Sequence, residues 1–469
     1  MPDDIYVDAL TTLRDGDPAE AADLLLRALR RQPGHAGIRR NLVRALVAAG
    51  RFAQALPHAD AALAADPRDA ELHFLRGTTL NALGFPTRAC AAFHNAVMLK
   101  AEHAPSWLNW GNASADLDDL DAAEAMYRTA LSFDPALPEA QASLGYVLTR
   151  QGRLPEAIKA CNAALRSRPE MAEAHWNRAI ALLLSGNLPA GFAAYEWRKR
   201  HPAYRGAFPP LPAPEWDGRA LEGRTVLVRG EQGAGDAIHF ARFLAAIRDR
   251  GGRPILACGP ALVPVIGLMP GTQTCAWSES VPHDVWIDQM SLPFRLGITE
   301  ASIPAAGGYL TADPVRVAAW AQQLGPGRHV GLALAGNPAN PTNHRRSVPA
   351  ALMRALPAID RVRFVSLQHG SAARSLPLSD LTTALPDYAE TAALIAALDL
   401  VISVDTSVAH LAGALGKPVW LLLPADPDWR WMLGRSDTPW YASMRLFRQD
   451  RRGDWAPLLE RVFGELTTW

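Results

Sequence analysis

The sequence predicts an α plus α/β protein, with a superhelix of paired helices over residues 1–200 and two doubly wound lobes beyond it. Three observations carry that reading. Small residues recur at a fixed step of 34 through the first part of the chain. A stretch dense in proline and glycine then breaks the pattern at 201–223. Beyond it, short apolar runs alternate with helical ones, as parallel βαβ units require.

At 469 residues the chain is long enough for two or three domains. Its 49% apolar and 20% charged residues are ordinary for globular proteins. Lys and Arg together number 47, and so do Asp and Glu, so no net charge favours nucleic acid or an anionic membrane. Cys90, Cys161, Cys258 and Cys275 are widely spaced with no CxxC, which predicts reduced, mostly buried thiols and neither a disulfide frame nor a zinc site. The opening "MPDDIYVDAL" is acidic and lacks the features of a signal peptide. No apolar run nears the roughly 18–20 residues that span a bilayer. A soluble cytoplasmic protein is expected.

The repeat is visible in several registers. Prolines stand at Pro33, Pro67, Pro135 and Pro169, with Ala101 at the skipped site. Alanines run through Ala28, Ala62, Ala96, Ala130 and Ala164, and again through Ala21, Ala55, Ala89, Ala123 and Ala157. Larger residues fill Leu25, Phe93 and Tyr127, and glycines recur at Gly77, Gly111 and Gly145. Small residues where two helices cross, with proline where the second ends, describe a helix–turn–helix unit whose apolar face is completed by its neighbours. With Trp107, Leu108 and Gly111 matching its first-helix signature, the array resembles the tetratricopeptide repeat. Five full units are expected, then a degenerate sixth that ends in "GFAAYEWRKR". Such arrays bind protein segments in a concave groove, so a protein partner is expected; a plain spacer is the alternative.

Residues 201–223 read as a linker, 224–310 as a first Rossmann-like lobe and 311–469 as a second. "TVLVR" and "PILACG" are strands of the first. "HVGLALAG", "VRFVSLQ", "LVISVD" and "PVWLLLP" are strands of the second. Ligands of such sheets bind at the carboxyl ends of the strands.

In "VLVRGEQGAGDAIHF" the glycines Gly230, Gly233 and Gly235 are spaced G-x-x-G-x-G. That is neither the dinucleotide fingerprint nor a P-loop, and the next lysine is Lys417. Asp236 stands in the first turn of the following helix. Favourable by roughly 0.3–1 kcal/mol at a helix N-terminus, it reads either as a cap or as a base facing a hydroxyl. A carboxylate there repels phosphate. A phosphate site fits the second lobe better, where Asp405 ends a strand and Thr406 and Ser407 open a helix with free N–H groups. Asn337, Arg345 and Arg346, in "AGNPANPTNHRRS", leave another strand end, and the arginine fork suits phosphate oxygens. Gln368, at the end of "VSLQ", is a candidate nucleotide contact. His239 either lines the cleft or is a buried helix histidine. Trp429, Trp431, Trp440 and Tyr441 either stack on a ligand or pack. "DPDW", with Asp426 and Asp428, has the spacing of a metal-binding D-x-D but reads as a structural loop, so no metal site is expected.

Taken together, "RGEQGAGDAIHFARF", "GLALAGNP…NHRRS", "VSLQ", "ETAALIAALDLVISVDTSVAHLAGALGKPVW" and "PDWRWMLGRSDTPWYASMRLFRQ" resemble bacterial tetratricopeptide proteins with a C-terminal region related to the ADP-heptose (family 9) glycosyltransferases. The layout is also similar to O-GlcNAc transferase. The resemblance implies a GT-B fold and an inverting, metal-independent transfer from a nucleotide-sugar donor to a protein hydroxyl, with flagellin or another surface protein as acceptor. No cofactor is implied beyond the donor as substrate. By the same resemblance Asp236 is the base, within a Gly233–Gly235 loop. Arg345 or Arg346 neutralises the donor phosphate, and Asp405, Thr406, Ser407 and His410 form a donor-binding Asp-Thr-x-x-x-His segment. This sequence has arginine where the family's phosphate lysine stands, and "GAGD" where "GLGD" is commoner. A non-catalytic adaptor, or transfer to a glycan or lipid-linked sugar, is the alternative.

Overall fold

The computed structural model describes residues 3–231, 233–340, 342–356, 358–368, 378, 381 and 384–469. It divides after Arg178 into two units, Met1–Arg178 and Ala179–Trp469.

The first unit is built from helix pairs: α1 (Asp3–Arg14) with α2 (Pro18–Arg31), α3 (Ala36–Ala48) with α4 (Phe52–Ala65), α5 (Ala70–Ala82) with α6 (Pro86–Leu99), α7 (Ala104–Asp116) with α8 (Leu120–Phe133), and α9 (Pro138–Arg150) with α10 (Leu154–Ser167). Helix α11 (Ala172–Leu184) crosses the division. The 34-residue step has a steric cause. A β-carbon at Gly77 would stand 2.6 Å from the Phe93 ring, one at Gly111 2.5 Å from the Tyr127 ring, and one at Gly145 2.3 Å from Cys161 Sγ. Each glycine lets the larger residue of its partner helix sit against the backbone, and Cys161 continues the series of Phe93 and Tyr127. The alanines of the two small-residue registers are almost fully buried where helices cross.

The second unit starts in α11 and continues through α12 (Leu188–Tyr195) and α13 (Pro202–Ala207). Residues 201–223, expected to be a linker without helical period, thus contain a short helix. They also extend a sheet: Glu215 bridges Trp286, and the Trp216 N–H donates to the Trp286 carbonyl at 2.7 Å. The cause is the buried Trp216, whose indole donates to the Arg219 carbonyl.

The first sheet contains β1 (Thr225–Arg229), β2 (Arg253–Cys258), β3 (Gln273–Ala276) and β4 (Val285–Asp288) in the order β3-β2-β1-β4, all parallel. The single helix expected after β1 is two, α14 (Ala234–Ala241) and α15 (Leu244–Asp249). Short helices α16 (Val263–Ile266) and α17 (Leu292–Leu296) follow β2 and β4. After α18 (Pro314–Leu324), the second sheet contains β5 (Arg328–Ala333), then α19 (Asn343–Arg346) and α20 (Ala350–Arg354), β6 (Val362–Ser366), α21 (Tyr388–Ala397), β7 (Leu400–Val404), α22 (Ser407–Ala414), β8 (Val419–Leu423) and β9 (Met444–Arg448). Its order is β6-β5-β7-β8-β9, again all parallel, and α23 (Trp455–Leu466) closes the chain. Every residue of β7 and β8 is buried, as expected of strands covered on both faces. Helix α23 seals the second core with Trp455, Leu458, Val462 and Phe463.

Both sheets change winding direction beside their first strand: between β1 and β4, and between β5 and β7. Crevices at such points hold the ligands of doubly wound sheets. Among the described residues, no helix is long and apolar enough to cross a membrane.

Candidate functional site

The two switch points face one cavity of about 730 Å³ within the second unit, a size suited to a small-molecule ligand. Gly233, Gly235 and Asp236 reach it from the start of α14. Asn337 and Arg346 reach it from the connection after β5, Gln368 from the end of β6, and Asp405, Thr406, Ser407 and His410 from the β7–α22 turn. Of the eleven residues that the sequence assigns to the base and the donor site, ten therefore line it; Arg345 is not among them.

Packing is close at Gly235. A β-carbon there would come within 3.0 Å of His410 Cδ2 and 3.5 Å of Ser407 Cα, so the start of α14 lies close against the start of α22. The contact sets Asp236 opposite the N-terminus of α22. Thr406 is the N-cap of that helix and makes no side-chain cap bond, which leaves amide donors toward the cavity. Its hydroxyl lies 3.0 Å from the Ser403 hydroxyl, and Tyr388 donates to Ser407 Oγ at 2.8 Å. A gap at Gly336 likewise admits Asn343 and Arg346, whose Nε donates to Asn343 Oδ1 at 3.4 Å.

Asp236 fills the first of its two readings, the cap, and its other oxygen holds a cation. Its Oδ2 accepts from the Gly233 N–H at 2.9 Å, which caps α14. Its Oδ1 accepts from Arg430 Nη2 at 2.5 Å. Burial pushes its carboxyl above the usual range, and the Arg430 guanidinium opposes the rise. Arg430 also donates from Nη1 to Asp428 at 2.8 Å, and both residues line the cavity. "DPDW" is thus part of the site through Asp428. Arg430 was missed, although an arginine between two tryptophans is a buried cation that needs a carboxylate partner.

Asp405 is pushed up to about 6, first by burial and then by the Asp428 charge, with Arg346 opposing. His410 Nε2 stands 3.7 Å from Asp405 Oδ1, and burial holds His410 well below the ordinary imidazole range, so it is neutral. Its Nδ1 lies 3.0 Å from the Tyr441 hydroxyl, which is also 3.1 Å from Nδ1 of His239. His239 is fully buried and does not line the cavity, which settles its two readings. The aromatic cluster packs as well: Trp429 is 3% exposed, and Trp431, Trp440 and Tyr441 are 0%. Gln368 contributes shape more than donors. Its amide is clasped by Ala335, whose N–H donates to Oε1 at 2.9 Å and whose carbonyl accepts from Nε2 at 2.7 Å.

Comparison with known proteins finds two kinds of match along the chain. Residues 12–77 match one tetratricopeptide repeat model, and residues 108–171 and 162–204 match a second. Residues 383–431 match glycosyltransferase family 9 (heptosyltransferase), a segment that holds Asp405, Thr406, Ser407, His410, Asp428 and Arg430. The chain therefore joins tetratricopeptide repeats to a C-terminal segment of family 9 glycosyltransferase type. It is 28% identical over 438 residues to Protein FlbA of Caulobacter vibrioides, across 85% of this chain and 73% of that protein. A stretch of 54 residues is 44% identical to Protein O-mannosyl-transferase Tmtc2 of Drosophila melanogaster, across 12% of this chain and 6% of that protein. Among solved structures, a thermophilic tetratricopeptide protein of Thermus thermophilus, TTC0263, is 24% identical, covers 39% of this chain and 100% of its own, and has a TM-score of 0.34.

Proposed function

We propose that the chain is an inverting glycosyltransferase of GT-B architecture. It moves a sugar from a nucleotide-sugar to a hydroxyl of a protein held by the repeats, with flagellin or another surface protein as the acceptor class. One observation carries the reading: a carboxylate from the first sheet, two guanidiniums and a helix N-terminus converge on one cavity, inside and beside the family 9 segment.

Inversion requires a proton acceptor on one face of the anomeric carbon and charge neutralisation of the leaving diphosphate on the other. Asp236 supplies the first. Arg346, Arg430 and the amides of α22 supply the second, so the transfer needs no metal ion. Asp405 accepts from a donor hydroxyl or from His410, and the apolar wall of Leu367, Leu385 and Val408 takes the nucleobase. Free cysteines fit a cytoplasmic protein, and the balanced charge fits one with no nucleic-acid partner.

A second reading, a non-catalytic adaptor, is favoured by the bond that already occupies Asp236 Oδ1. Thermal unfolding against ADP, UDP, GDP, CDP and CMP separates the two. A ligand at about 100 times its Kd adds roughly 2.7 kcal/mol to the unit that binds it. We expect one nucleotide to raise the transition, and Arg346→Ala and Thr406→Ala to abolish the effect. If no nucleotide shifts it, the donor site is refuted and the adaptor reading stands.

A further inference from the structure

Arg430 is 5% exposed, yet it holds two cavity carboxylates at once: Asp236 through Nη2 at 2.5 Å and Asp428 through Nη1 at 2.8 Å. Its guanidinium carbon stands 4.4 Å from the Trp429 ring centre and 5.5 Å from that of Phe240, and its backbone is fixed by Trp440 Nε1 donating to its carbonyl at 2.8 Å. The buried Nε has no hydrogen-bond partner. The cation is thus firmly seated while one of its donors stays free.

This arrangement conflicts with Asp236 as a base. One oxygen caps α14 through the Gly233 N–H, and the other is held by the Arg430 guanidinium, so neither is free to take a proton from an acceptor. The cavity is also short of positive charge. Asp236, Asp387, Asp405 and Asp428 line it against Arg346 and Arg430. A diphosphate seated on the α22 amides would bring more negative charge beside the same two arginines. Guanidinium binds phosphate with the same two-pronged geometry it uses for carboxylate, so the diphosphate and Asp236 compete for Arg430.

We propose that Arg430 is a donor-operated latch on the base: the diphosphate of the nucleotide-sugar draws the guanidinium off Asp236, so Oδ1 is free to accept a proton only when the donor is bound. The proposal rests on the donor site described under the proposed function. In the step it licenses, the acceptor O–H proton passes to Asp236 Oδ1 as the acceptor oxygen bonds to the anomeric carbon. The bond from that carbon to the phosphate oxygen breaks, and its electron pair leaves with the nucleoside diphosphate, balanced by Arg430 and Arg346. A water or acceptor that arrives before the donor meets a latched carboxylate.

The test is a double-mutant cycle read by calorimetric binding to the full chain. The ligand is whichever of ADP, UDP, GDP and CDP stabilises the wild type most. Competition predicts that Asp236→Asn tightens binding about fivefold or more, because Arg430 no longer has to leave a carboxylate. Arg430→Gln should weaken binding by a similar factor or more, and in its background Asp236→Asn should have no further effect. Persistence of the tightening in the Arg430→Gln background would show simple charge repulsion and overturn the latch, as would an Arg430→Gln variant of unchanged affinity. If Arg430→Gln fails to fold, Arg430→Lys replaces it, and the Asp236→Asn effect should shrink because one ammonium cannot reproduce the two-pronged hold. Binding without coupling removes the latch alone; no binding of any diphosphate to the wild type removes the donor site with it.

Discussion

Arg198 and Glu231 form a two-point ion pair in the interior of the second unit, with Nε to Oε2 at 3.0 Å and Nη2 to Oε1 at 2.8 Å. Their side chains are 3% and 0% exposed. Glu231 also accepts from the Met290 N–H at 3.1 Å, and Arg198 donates to Ser291 Oγ at 2.9 Å. Glu231 directly precedes the loop that carries Gly233 and Asp236, so the helical segment ending in "EWRKR" is tied to the root of that loop. Removing Arg198 strands the buried Glu231 charge, which costs roughly 3–5 kcal/mol, whereas Arg198 keeps Glu196 at 2.7 Å when Glu231 is removed. Arg198→Met should lower the second unit's stability in urea by that order and Glu231→Met by less, and the double variant should lose clearly less than the sum. Additive losses would mean the pair does not act as a unit.

Tyr441 lies between two neutral histidines. A hydroxyl has one proton to donate, so at least one of His239 and His410 must donate to it from Nδ1. The Nδ1–H form should be visible in imidazole ¹⁵N spectra, assigned through His239→Gln and His410→Gln. Finding both rings protonated only at Nε2 would refute it. Tyr441→Phe should cost about 1–3 kcal/mol by leaving buried ring nitrogens unpaired. Gly413→Ala should act in the same direction, since its β-carbon would stand 2.6 Å from Tyr441 Cδ1.

Much of this was legible because it repeats or alternates. The 34-residue step exposed the helix pairs, and the apolar runs exposed β1, β2, β5, β6, β7 and β8. Strands β3, β4 and β9 were missed. The first two have four residues each, too few for a period, and β9, "MRLFR", mixes arginine into its apolar run. The site was legible where a strand end meets a helix start, as at Asp236 and Asp405. Arg430 was not, because it comes from a turn with no period and its meaning lies in Asp236, 194 residues away.

Asp405 gives the second unit a pH dependence of definite sign. Its carboxyl is raised from 3.8 to about 6, so the folded state holds the proton more tightly than the unfolded chain. The stability this confers is complete below about pH 4 and is lost as pH rises through about 6. A shift of about two units corresponds to on the order of 3 kcal/mol. Asp405→Asn should therefore raise stability at pH 7 relative to its effect at pH 4, leaving the opposite slope of the buried His239 and His410, read by urea unfolding at each pH. A variant whose profile keeps the wild-type slope would show that another group titrates.

The repeat glycines admit a test that separates packing from backbone freedom. Gly145 lies inside α9, where alanine is intrinsically better than glycine by about 1 kcal/mol. In this setting Gly145→Ala should instead destabilise the first unit by roughly 1–3 kcal/mol, because the new methyl would stand 2.3 Å from Cys161 Sγ. The next atoms, Ala157 O at 3.3 Å and Cys161 N at 3.5 Å, are near ordinary contact. Deleting only the sulfur, in Gly145→Ala with Cys161→Ala, should then recover most of the loss and leave the unit more stable than Cys161→Ala alone. If the double variant is as unstable as the sum of the singles, backbone contact sets the glycine requirement, and the pairing of glycine with a larger partner at 34-residue intervals does not explain the repeat.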